Sequence, residues 1–138
     1  MIAYLDSSVL LRVVLGQENR LDEWQAIEAG VASGVVEVEC LRTLDRLRLT
    51  EGVDEKELAV RREAIYRLLE TLEIVEPTRL VLHRAAQPLP TSLGTLDAIH
   101  LATASLWQEA RGHELFMATH DQALALAARA SGLRVVGV

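Results

Sequence analysis

Cysteine is almost missing from this 138-residue chain, and Cys40 stands alone. A single thiol can close no intramolecular disulfide and offers no cysteine-rich zinc site, so a reducing cytoplasm is the expected compartment. Aromatic residues make up only 4% of the chain, against 50% hydrophobic residues in all. The core must therefore be built mostly from Leu, Val, Ile and Ala. Lysine is nearly absent too: of fourteen basic residues only Lys56 is not arginine. No apolar run reaches the ~18 residues of a membrane span, and Met1 to Asp6 has neither the basic segment nor the apolar length of a signal peptide. Proline is confined to Pro77, Pro88 and Pro90, which leaves the remaining segments free to form regular structure.

What is present suits one soluble domain over residues 1–138. A chain of this length buries roughly two-thirds of its unfolded surface, and 25% charged residues argue against disorder. The net charge of −6 speaks at first against nucleic acid, whose partners are usually basic. Divalent cations held among several acids would reverse that field where a phosphate docks, so net charge alone decides nothing.

Ile2 to Leu5 reads as a buried strand, followed by Asp6-Ser7-Ser8, which offers capping side chains to a helix ending at Gly16. A second helix is expected over Leu21–Glu28, stopping at Gly30, and a brief strand at Val31-Ala32. Ser33 then caps a helix whose stripe is Val36, Cys40, Leu44 and Leu47, at helical spacing. Gly52-Val53-Asp54 breaks that helix and starts a charged one running to about Glu70, read as a solvated face with intrahelical ion pairs. Leu72–Val75 has strand alternation, and Thr78–Ala86 forms a helix closed by Pro88 and Pro90. Leu96, Ile99, Thr103 and Leu106 mark a helix ending near Gly112. Leu115–Ala118 is a strand, Asp121–Ser131 a helix, and Arg134–Val138 a last strand. Strands alternating with helices predict an α/β domain with a mostly parallel sheet.

Ligands of such sheets bind beyond the carboxyl ends of the strands, where several acids fall. Asp6 directly follows the first strand, and Asp121 follows the strand ending at Ala118. Asp97 lies in the first turn of its helix, and Glu39 beside the apolar stripe of its own. Four acids from remote segments can thus meet at one mouth. Each has a plainer explanation: a helix cap for Asp6 and Asp121, a favourable helix-dipole position for Asp97, a solvated surface for either Glu37 or Glu39. Together they suit Mg²⁺ or Mn²⁺, hard cations that prefer carboxylate and water oxygens.

Four segments carry a resemblance to a known family. They are Tyr-Leu-Asp-Ser-Ser-Val-Leu-Leu from Tyr4, Val-Glu-Val-Glu-Cys-Leu-Arg from Val36, Leu-Asp-Ala-Ile-His-Leu-Ala-Thr-Ala from Leu96 and Ala-Thr-His-Asp-Gln-Ala-Leu from Ala118. In order and spacing the chain resembles the PIN-domain proteins, most closely the VapC-type toxins of bacterial toxin–antitoxin modules. The resemblance implies a three-layer α/β/α fold and Mg²⁺- or Mn²⁺-dependent endoribonuclease activity. It places metal-binding acids at Asp6, Glu39, Asp97 and Asp121, favouring Glu39 over Glu37, with Ser7 and Thr119 as hydroxyl residues orienting ligands or waters. It further implies an antitoxin partner and commonly a homodimer. Arg42 and Arg46 share a helix face with Glu39 and are candidates for RNA phosphates, or for a solvated surface.

Other readings fit less well. A haloacid dehalogenase-type phosphatase carries a second Asp where this chain has Ser8, and a receiver domain needs a strand-end Lys, whereas Lys56 lies in a helical segment. A binding module that keeps the fold without activity remains the main alternative. His100 and His120 form no zinc-ligand spacing and read as structural, Cys40 as core, and Trp24 and Trp107 as packing residues.

Overall fold

The computed structural model describes residues 1–138 and consists of strands separated by one or two helices. Strand β1 (Ile2–Leu5) leads to helix α1 (Ser7–Val14), β2 (Ala29–Ser33), α2 (Val35–Glu51), α3 (Glu55–Glu70) and β3 (Glu73–Val75). Then come α4 (Arg79–Ala85), α5 (Thr95–Arg111), β4 (Phe116–Ala118), α6 (Gln122–Ala130) and β5 (Arg134–Val136). The five strands form one sheet in the order β3-β2-β1-β4-β5, every neighbouring pair parallel. The chain therefore builds outward from β1 to β3, crosses back, and continues from β4 on the other side of β1. The strand order reverses between β1 and β4, and such a switch opens a crevice at the strand ends where ligands bind.

Alternation along the strands sorts the core into two halves, because successive side chains leave a strand on opposite faces. Ala3, Leu5, Ala32 and Ala118 point to one side and pack with Val9, Leu10, Val36, Cys40, Leu44 and Ile65 of α1, α2 and α3. Tyr4, Val31 and Met117 point to the other and meet Leu101, Ala104 and Trp107 of α5 and Leu124, Ala127 and Ala128 of α6. A parallel sheet covered on both faces by helices is the expected three-layer α/β/α arrangement.

Local signals explain the element ends. Gly52 ends α2 with φ 66°, and Asp54 starts α3 by accepting the Glu57 N–H at 2.7 Å. The charged α3 carries the expected ion pairs, Arg61–Glu57 at 2.5 Å and Arg67–Glu63 at 2.7 Å.

Four expectations are corrected. Leu21–Glu28 is not a helix but a five-residue 3₁₀ turn, Asp22–Ala26, because buried Leu21 anchors one end and the Glu28 N–H is taken by the Met1 carbonyl at the other. Gly30 does not stop a helix. It lies inside β2, which is longer than expected, where an added Cβ would stand 2.6 Å from Leu72 Cδ2 and 3.0 Å from Leu5 Cδ1. The cap position of α2 is Gly34, although the Ser33 hydroxyl still accepts the Val35 N–H at 3.3 Å. In α5 the expected stripe also shifts: Leu96 is exposed, whereas Ala98, Leu101, Ala104 and Trp107 face the core.

Candidate metal centre

Each of the four acids is delivered by a different element. Asp6 is the residue after β1 and the N-cap of α1, and it is 4% exposed. Both of its carboxylate oxygens are held: Oδ1 accepts the Val9 N–H at 3.2 Å and the Ser8 hydroxyl at 2.6 Å, and Oδ2 accepts the Thr119 hydroxyl at 2.6 Å. Thr119, fully buried after β4, has its oxygen engaged in turn by the Asp121 N–H at 3.0 Å. Asp121 caps α6 through the Leu124 N–H at 2.8 Å and remains exposed. The cap explanation and the site explanation thus hold together, since each carboxylate fixes a helix start while standing at the β1/β4 switch.

Glu39 resolves the choice on α2. Glu37 is exposed, whereas the Glu39 side chain is 18% exposed and turned inward. Its Oε2 faces the Ser7 hydroxyl at 3.4 Å, and its Oε1 lies 2.5 Å from His100 Nε2. His100 is itself buried, with Nδ1 2.6 Å from the Tyr4 hydroxyl. Burial raises the Tyr4 phenol far above its ordinary value, so it stays protonated and can donate.

Asp97, in the first turn of α5, shows that the acids share one environment. Its carboxyl is raised above its ordinary value first by burial, then by the negative charge of Asp121; His100 opposes the rise, and Asp6 and Glu39 add to it. No Arg or Lys forms an ion pair with Asp6, Asp97 or Asp121, and Glu39 meets only His100. The site is therefore an uncompensated set of oxygen donors, the chemistry that suits a hard divalent cation. The acids do not already form a closed cage: no three His, Cys, Asp or Glu side chains are grouped tightly enough to hold an ion alone. An ion there would complete its shell with water, as Mg²⁺ usually does.

The site reaches solvent at Asp121, which is exposed, and at Asp97, which is partly so. The two roomier apolar cavities, of about 500 and 580 Å³, lie beside the start of α2 and between α4 and α5, and none of the four acids lines either one. Arg42 and Arg46 are exposed on α2, Arg46 donating to the Thr43 hydroxyl at 3.1 Å. His120 packs its Nδ1 2.9 Å from the Gly137 carbonyl, and its buried Nε2 has no partner. Cys40 is core, its thiol pushed up to about 12, chiefly by burial. Trp107 is also core, with its indole N–H donating to Glu73 at 3.1 Å.

A family model for the PIN domain matches residues 3–130. The chain belongs to the PIN-domain family. Its sequence is 31% identical over 137 residues to Ribonuclease VapC46 of Mycobacterium tuberculosis, covering 96% of this chain and 95% of that protein. Among solved structures, FitAcB from Neisseria gonorrhoeae superposes with a TM-score of 0.72 at 19% identity, covering 99% of this chain and 96% of its own. A toxin–antitoxin complex from Klebsiella pneumoniae superposes with a TM-score of 0.66 at 18% identity, covering 91% of each chain. These structural likenesses establish a shared PIN-like fold.

Sequence reasoning did not name two side chains that hold the candidate acids, Ser8 and His100. His100 reads as structural by its spacing, yet it is buried against Glu39. The available signal was its position one turn after Asp97 on the same helix face. The partner that gives it meaning lies 61 residues away.

Proposed function

We propose that this PIN-domain protein is an Mg²⁺- or Mn²⁺-dependent endoribonuclease, the toxin of a toxin–antitoxin pair, with Asp6, Glu39, Asp97 and Asp121 as its metal-binding catalytic acids. The observation that carries the reading is the convergence of acids from separate elements, Asp6 and Asp121 joined through Thr119 and Glu39 held against His100 of α5, the helix that carries Asp97, with no Arg or Lys paired to any of them. Mutually repelling carboxylates are costly to assemble unless a cation offsets them. RNA as the substrate is supported by the relative named a ribonuclease.

The protein's own residues have separable tasks. Thr119, Ser8 and the Val9 N–H fix both oxygens of Asp6, so that carboxylate meets a ligand without reorganising. Thr119 also ties Asp6 to the Asp121 backbone, coupling two acids across the strand-order switch. Bound among the four acids, a divalent ion would lower the pKa of a water and stabilise charge on the attacked phosphodiester. The open mouth admits a polymer backbone, and exposed Arg42 and Arg46 extend from Glu39 along α2 toward flanking phosphates.

An antitoxin partner and a homodimer complete the proposal. The toxin–antitoxin neighbour supports the first, and exposed Val38, Leu49, Val60, Tyr66 and Leu80 leave apolar surface for both. No helix is long and apolar enough to cross a membrane, and a cytoplasmic location fits both an RNA substrate and the single buried thiol.

The test uses metal-stripped protein and a structured RNA pool, with and without Mg²⁺ or Mn²⁺, beside a folded Asp97→Asn variant. Metal-dependent cleavage lost in the variant supports the reading. Absence of both cleavage and metal binding in the parent contradicts it and favours a catalytically inactive PIN-fold binding module.

A further inference from the structure

We infer that His100 is a positioning residue for the metal centre, holding Glu39 in place with an Nε2–H whose tautomer is set by Tyr4. The inference rests on the four-acid reading and adds two residues to it.

Glu39 and Asp97 belong to opposite helical layers, since α2 packs on one face of the sheet and α5 on the other. A carboxylate on α2 can serve a site at the strand ends only if something fixes it there. Ser7 is a weak candidate, at 3.4 Å from Oε2. His100 is a strong one: it is 1% exposed, rises from α5, and meets Oε1 at 2.5 Å. The contact joins the two layers beside β1, whose Tyr4 ring meets the imidazole edge-on with centroids 5.7 Å apart.

In the proposed arrangement the Tyr4 oxygen accepts the Ser33 N–H at 3.2 Å and gives its proton to His100 Nδ1, 2.6 Å away. With Nδ1 accepting, the ring hydrogen resides on Nε2 and donates to Glu39. Thr103, the other hydroxyl nearby, donates to the Ile99 carbonyl at 2.6 Å. A backbone amide of β2 thus fixes a phenol, the phenol fixes an imidazole, and the imidazole fixes a carboxylate. Loss of a partner that orients a metal ligand typically costs about 10- to 100-fold in metal affinity or activity.

The experiment measures Mn²⁺ affinity by calorimetry on metal-stripped, folded protein, comparing the parent with His100→Leu, His100→Gln, Tyr4→Phe and Asp97→Asn. Gln keeps an amide donor near the position of Nε2, while Leu keeps volume without a donor. The expected result is Mn²⁺ binding weakened about 10- to 100-fold in His100→Leu, with His100→Gln within about threefold of the parent. Tyr4→Phe falls between them, and long-range ¹H–¹⁵N spectra of the parent show the Nε2–H tautomer. In cleavage assays the His100→Leu defect is in kcat at limiting Mn²⁺ and recedes as Mn²⁺ is raised, with KM for RNA unchanged. Parent-like Mn²⁺ affinity in folded His100→Leu, or equal loss in Gln and Leu, overturns the inference while Asp97→Asn still tests the four-acid site. Should the parent itself bind no Mn²⁺, both fall together.

Discussion

The acids of the site oppose one another in the absence of metal, and Asp97→Asn exposes that opposition with a sign that ordinary packing does not give. The Asp97 carboxyl lies above its ordinary 3.8 in the fold. A carboxyl raised on folding holds its proton more tightly in the folded state. Its contribution to stability is therefore greatest below the unfolded value and declines as pH rises through the folded one. Replacing it with Asn removes the repulsion but also a favourable charge at the start of α5, so a control is needed. Glu55 occupies the first turn of α3 and is exposed, with no shared acidic site, so Glu55→Gln removes a comparable dipole interaction alone. Asp97 is only half-buried, and solvent screening limits its net repulsion to ~1 kcal/mol. In metal-free protein near pH 7, Asp97→Asn should thus be more stable than Glu55→Gln by that amount relative to the parent, about 4 °C in Tm. Near pH 3, where the Asp97 carboxyl is protonated, the difference closes. Added metal reverses the order. At Mn²⁺ about 100 times the parent's Kd, binding adds ~2.7 kcal/mol to the parent, and a variant binding about 100-fold more weakly gains only ~0.4 kcal/mol. Thermal unfolding monitored by circular dichroism across pH, with and without Mn²⁺, reads both effects. A metal-free Asp97→Asn no more stable than Glu55→Gln, or one that keeps the full Mn²⁺ gain, refutes the argument.

Thr119→Val removes the hydroxyl between Asp6 Oδ2 and the Asp121 N–H; it should cost ~1–3 kcal/mol in denaturant unfolding and about 10-fold or more in Mn²⁺ affinity. Arg42→Ala combined with Arg46→Ala should leave Mn²⁺ affinity and Tm unchanged while raising KM for RNA and flattening its salt dependence; an unchanged salt slope would place RNA on another surface. Gly30→Ala must push Leu72 and Leu5 aside, at a cost of ~1–3 kcal/mol, and chemical denaturation should register it without a change in metal affinity.

Much of the fold was legible because its signals are local. Asp6, Asp54 and Asp121 are hydrogen-bonded caps where the sequence places helix starts, and Val36, Cys40 and Leu44 form a buried stripe at the expected spacing. The errors arose where tertiary contacts override such signals. Leu21–Glu28 has apolar residues at helical intervals, but the connection to β2 leaves room for only a short 3₁₀ turn. On α5, the larger apolar residues suggested one stripe, while small Ala98 and Ala104 are the ones buried against the sheet and its neighbours. Asp6, Asp97 and Asp121 could be named individually because each follows a strand or opens a helix, whereas Glu39 was chosen over Glu37 by the resemblance of its segment. Thr119 could be named through the resemblance, but not its contact with Asp6 across 113 residues, nor the meeting of His100 with Glu39 and Tyr4 across the layers. Those contacts depend on which strands become neighbours, information that periodicity along one segment does not contain.

Anomalous diffraction from crystals grown or soaked with Mn²⁺ tests the central claim most directly, because it locates the ion without reference to a substrate. The account predicts a strong manganese peak at the β1/β4 strand ends, within coordination distance of carboxylates among Asp6, Glu39, Asp97 and Asp121, and lost in Asp97→Asn. A parent crystal saturated with Mn²⁺ that shows no peak there, or a peak bound by other residues, would contradict it.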